Sequence, residues 1–164
     1  MFKGAALRRF TRRGVIGGAI VTACLAGLAV APAQAITDMS VTLRMSTTTD
    51  AYGNPRVAAI YTADLPTDSG WGYLYNGGSI TVNCYGDDGS TRSLLFSTVH
   101  TMNTAQNLWA DDANIHLSGF KDAPKGGLFN EDLDGTDEIY CTLTWRDGDG
   151  GTISRKTLER TGDF

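Results

Sequence analysis

The chain has 164 residues, 20% of them charged, with 14 Lys and Arg against 18 Asp and Glu. Five of the basic residues and no acid lie within the first 35, so residues 36–164 hold nine basic side chains against 18 acidic ones, a net of −9. Such a balance argues against nucleic-acid binding, which needs a basic footprint on phosphates, and equally against adsorption to an anionic membrane.

The N-terminus has the three parts of a secretory signal. Lys3, Arg8, Arg9, Arg12 and Arg13 come first, an apolar stretch follows over 14–30, and Ala33-Gln34-Ala35 supplies the small-x-small end. Cleavage is expected after Ala35. A retained anchor is disfavoured, because 17 residues with four glycines make a short and weak span. Thr11-Arg12-Arg13-Gly14-Val15-Ile16 resembles a twin-arginine signal, the alternative being an ordinary signal with a rich basic region. Val21-Thr22-Ala23-Cys24 resembles a lipoprotein box, but the apolar run over 25–30 replaces the polar tether that lipidation normally precedes. The expected products are a signal peptide over 1–35 and one secreted domain over 36–164, extracellular or wall-associated, with no stable membrane association. A chain of this size can bury one core.

Within 36–164 the dominant period is two. Val41, Leu43 and Met45 alternate with polar neighbours, as do Ile80, Val82 and Cys84, then Ile115 and Leu117, then Ile139, Cys141, Leu143 and Trp145. Residues 56–62 and 94–99 are further β-rich runs. Alternation of this kind marks half-buried strands. Tyr52-Gly53-Asn54-Pro55 closes one hairpin. Asp87-Asp88-Gly89-Ser90 joins strands 79–85 and 92–99, and Asp147-Gly148-Asp149-Gly150-Gly151 joins 138–146 to 152–158. No amphipathic helix is convincing; 104–112 is the best candidate, a turn or two long.

About seven short strands with frequent turns predict an all-β fold, a two-sheet antiparallel sandwich of immunoglobulin-like or C2-like style. Cys84 and Cys141 fall on the apolar faces of their strands and predict one core disulfide in an oxidising compartment. An antibody-type pattern is absent. Tyr140 directly precedes Cys141, so it should point to the opposite face, and Trp109 stands 25 residues after Cys84.

Three constellations could carry function. Residues 130–138 hold five carboxylates, and Asn130, Asp132, Asp134 and Gly135 match the opening of a calcium loop. The twelfth position would be Cys141 where a bidentate Glu belongs, so an EF-hand is excluded. A loop site drawing on Asp137, Glu138 and a neighbouring Asp147 or Asp149 stays open beside a solvated acidic turn. Trp71, Tyr73 and Tyr75 alternate and would share one face if extended, forming either a ring platform for sugars or part of the core. His100 and His116 sit at polar positions of predicted strands. No catalytic motif accompanies them, and Asp111-Asp112 and Glu131-Asp132 are adjacent carboxylates that diverge in a strand.

Phe129-Asn130-Glu131-Asp132, Gly135-Thr136-Asp137-Glu138-Ile139-Tyr140 and the ending Thr161-Gly162-Asp163-Phe164, together with the signal, resemble the small secreted proteins of unknown function found in actinobacteria. The resemblance implies location and style of fold and carries no catalytic residue.

The expected function is a secreted, non-enzymatic binding module for an extracellular glycan or protein partner. The alternatives are a calcium-stabilised structural or adhesion domain, and a small hydrolase or protease inhibitor. An inhibitor would need a rigid exposed loop, for which 121–127, with Pro124, is the candidate. No cofactor is expected apart from the calcium of the second reading.

Overall fold

The computed structural model describes residues 36–102, 104, 107–130 and 136–164. Residues 1–35, on which the expected signal peptide falls, and the loop members Glu131, Asp132, Asp134 and Gly135 lie outside the described residues.

Nine strands and one short helix are described. They are β1 Ser40–Thr49, β2 Pro55–Pro66, α1 Gly70–Tyr75, β3 Ser79–Asp87, β4 Arg92–Thr101, β5 Leu108–Ala110, β6 Asn114–Pro124, β7 Asp137–Arg146, β8 Thr152–Lys156 and β9 Arg160–Gly162. One antiparallel sheet runs β1-β2-β6-β5, and the other runs β4-β3-β7-β8 with β9 also on β7. All three expected hairpin turns fall between paired strands: β1 with β2, β3 with β4, and β7 with β8.

Alternation builds the core as the sequence suggested. Val57, Ala59, Tyr61, Ala63 and Leu65 line the inner face of β2, and Ile139, Cys141, Leu143 and Trp145 that of β7. Across the β3–β7 pair the inward rungs are Ile80 with Trp145, Val82 with Leu143, and Cys84 with Cys141. The two cysteines are disulfide-bonded and fully buried. They sit directly opposite on neighbouring strands, with Cα atoms 4.0 Å apart, so the bond staples one sheet instead of joining the two. Closing a loop with a sequence separation of 57 contributes up to about 4 kcal/mol by restricting the unfolded chain.

Three expectations need correction, and one is met with an added feature. The 104–112 segment carries strand β5 over its described end. Residues 121–124 belong to β6 and pair with β2, so the loop an inhibitor would require is not formed there. Tyr140 faces away from Cys141 as expected, and on that face it is buried, stacked on Tyr85 and covered by Lys156, whose Nζ lies 3.5 Å from its ring centre. His100 faces inward, because it shares a rung with the core residue Ile80. Its Nε2 lies 3.1 Å from the Tyr61 hydroxyl, a polar bridge between the sheets. Burial holds its pKa below the usual histidine value.

Candidate functional site

The largest departure from the sequence reading is at residues 70–75. They form a helical turn, so the extended conformation that would put the three aromatics on one face is not adopted. Propensity does not explain it, since two of its six residues are glycines. Packing and the C-terminal cap do. Tyr73 and Leu74 are buried, Tyr73 with its ring edge-on to Trp145 at 6.3 Å. Gly70 is pressed against β5 and β6: a Cβ there would lie 2.8 Å from the Ala110 Cβ and 3.1 Å from the Asn114 carbonyl oxygen. At the far end Gly78 N donates to Tyr73 O and Gly77 N to Leu74 O, with Gly77 at φ 92°. That is a Schellman closure, which needs the left-handed conformation glycine tolerates. Asn76-Gly77-Gly78 was thus a legible helix stop.

The helix redistributes the three aromatics. Trp71 and Tyr75, four apart, share a face. Their rings are 6.1 Å apart and inclined by 33°, with Trp71 43% and Tyr75 71% exposed. Tyr73 turns to the core and leaves the platform. Its pKa is raised by burial, then by the charges of Asp147, Asp149 and Asp68.

Two shallow cavities flank α1, and a third adjoins the first of them. One of about 350 Å³ is walled by Asp68, Trp71, Asp111 and Asp112. A second, of about 370 Å³, is walled by Tyr73, Asn76, Asp147 and Asp149. Both share Ser69 and Gly72. A third, of about 670 Å³, shares Asp68 and Asp112 with the first. Asp147 is buried and accepts a hydrogen bond from the Gly151 backbone. Hydrogen bonding to Asp147 and repulsion by its charge raise the pKa of Asp149. Across segments 66–79, 110–114 and 146–152, which make up this end, the only basic residue is Arg146. It follows the inward-facing Trp145 and is exposed on the outer face of its sheet.

Beside the cavities stands a cluster that sequence reasoning did not assemble. Asp64, His116 and Trp109 occupy one cross-strand row on β2, β6 and β5. His116 Nδ1 lies 2.6 Å from Asp64 Oδ1, and its Nε2 lies 3.0 Å from Asp111 Oδ2. Trp109 stacks on the imidazole at 4.1 Å. Partial burial lowers the His116 pKa, but hydrogen bonds to Asp111 and Asp64 and the charges of both outweigh it, leaving a net rise. Asp111 in turn accepts from the Ala113 and Asn114 backbone, which with the His116 bond lowers its pKa. The register of three strands decides this grouping.

Of the calcium constellation, Asp132 and Asp134 lie outside the described residues, and the structure separates Asp137 from the neighbouring-loop candidates Asp147 and Asp149. Asp137 is buried at the start of β7, 3.5 Å from the Phe164 amide. Asp147 follows the other end of that strand, so the two lie roughly 30 Å apart and cannot share an ion. Among the described residues no three His, Cys, Asp or Glu side chains form a group suited to a metal ion. Asn130 is half-buried and Glu138 lies on β7 opposite Thr161.

No protein-family model matches the chain, and no curated protein matches it. Among solved structures, a Bordetella pertussis protein provisionally described as ApaA is similar at 11% identity with a TM-score of 0.40, covering 77% of this chain and 94% of that one. A structural-genomics target, SoR45, is similar at 9% identity with a TM-score of 0.37, covering 77% of this chain and 86% of its own. Similarity at this level transfers no site residue.

Proposed function

We propose that this chain is a secreted, non-enzymatic binding module of the envelope or extracellular space, and that the α1 end of the sandwich holds a glycan. The observation that carries the reading is the exposed Trp71–Tyr75 pair, set beside cavities bordered by carboxylates. A pyranose has an apolar face that rests on aromatic rings and a rim of hydroxyls that carboxylates accept from, and this end offers both kinds of group.

A binding role is favoured over catalysis by the state of the two histidines. Both ring nitrogens of His116 are engaged by carboxylates, so neither is directed at a substrate. His100 is buried against Tyr61.

The test is retention on purified cell-wall polysaccharide by the wild type and by Trp71→Ala. Loss of retention with an unchanged thermal midpoint supports the reading, because a ring that is 43% exposed carries little of the core. Undiminished retention by the variant refutes it.

A further inference from the structure

Resting on that reading, we propose that the glycan held at the α1 end is one whose sugars carry free primary amines. Its ammonium groups would meet the carboxylates around α1, and its ring faces would rest on Trp71 and Tyr75.

Carboxylates flank α1 on both sides: Asp68 and Asp112 border the cavity beside Trp71, and Asp147 and Asp149 border the one beside Asn76. Helical spacing places Gly72 and Asn76, which border the second cavity, on the face next to Trp71 and Tyr75. Aromatic and acidic surfaces are therefore contiguous. Asp147 and Asp149 border the same cavity, and Asp147 is buried. Such a pair is stabilised by any cation that enters.

The rings narrow the choice of cation. A free metal ion would use the carboxylates and ignore the aromatic pair. An anionic glycan, bearing uronates or phosphates, would be repelled. An amino sugar uses both surfaces, since an ammonium donates three hydrogen bonds and is attracted to aromatic faces. A basic peptide also offers cations, but extended peptides dock on β domains by adding to a free strand edge. The edge strand beside α1 is β5, and at three residues it offers an extended peptide too short a ladder to join.

The test compares two matched probes by calorimetry on the purified, oxidised protein: a hexamer of glucosamine and the same hexamer fully N-acetylated. The glucosamine hexamer should bind at least about tenfold more tightly, and that difference should shrink between about 50 and about 500 mM salt. Asp68→Asn/Asp112→Asn/Asp149→Asn, all at exposed positions, should abolish the preference, and Trp71→Ala should abolish binding of both probes. Equal binding of the two hexamers, both lost in Trp71→Ala, overturns the amine inference and leaves the glycan reading standing. Binding of neither, or binding unaffected by Trp71→Ala, overturns both. Tighter binding of a lysine hexapeptide than of the glucosamine hexamer assigns the face to a protein partner and overturns the inference.

Discussion

Replacing His116 by Phe keeps a ring against Trp109 and deletes both hydrogen bonds of the Asp64–His116–Asp111 clamp. Hydrogen bonds to charged groups are worth about 1.5–3 kcal/mol each when sheltered. Here His116 is 20% exposed and the two carboxylates 53% and 47% exposed, so water replaces much of what is lost. Exposed ion pairs contribute about 0.2–1 kcal/mol each. The expected loss is therefore about 1–2 kcal/mol in total, or roughly 4–8 °C in Tm for a domain of this size. The effect should depend on pH. His116 has a raised folded pKa, so its contribution is full below the unfolded value of 6.5 and is lost as pH rises through the folded one. Asp111 has a lowered folded pKa, so its contribution is present above 3.8 and is lost as pH falls through the folded value. The clamp is strongest between these limits. Calorimetric scans of both proteins at about pH 5.5 and about pH 9 read the difference directly. A deficit that is absent at the lower pH, or that grows toward the higher one, would refute the clamp as described.

Further outcomes follow from the same contacts. Tyr61→Phe removes the hydroxyl facing His100 and leaves a buried nitrogen unpaired, so urea titration should show a loss of about 1–3 kcal/mol. Tyr140→Phe should be neutral or slightly stabilising by the same assay, because the buried hydroxyl has no hydrogen-bond partner among the described residues. Gly70→Ala should cost about 1–3 kcal/mol by overpacking α1 against Ala110, and should weaken ligand retention more than an equally destabilising change at the opposite end of the sandwich. Any calcium-dependent rise in Tm should persist in Asp149→Asn, since the acidic segments at the two ends of β7 cannot converge; loss of the rise in that variant would refute the separation.

Strands were legible because alternation of apolar residues is itself the cause of a half-buried strand. The runs around Ile80, Ile115 and Ile139 and the hairpin turns at Gly53, Gly89 and Gly150 fall where pattern and turn chemistry place them. The helix at 70–75 was missed because Trp71, Tyr73 and Tyr75 alternate by type, while the Schellman stop at Gly77-Gly78 and the contact at Gly70 call for a helix. His100 was misplaced because its face depends on which residue of β3 lies opposite, and that register is a tertiary fact.

The sequence by itself determined the acidic character of residues 36–164, the two-sheet class and the inward-facing cysteines, because each follows from composition or from a period of two. Only the tertiary structure decided that the cysteines face each other within one sheet, that Asp64, Trp109, Asp111 and His116 form a cluster, and that Trp71 and Tyr75 pair beside carboxylates from three separate loops. The physical reason is the same in each case. Residues far apart in the chain become neighbours through strand pairing and register, and side-chain periodicity specifies a face without naming the strand that will lie beside it.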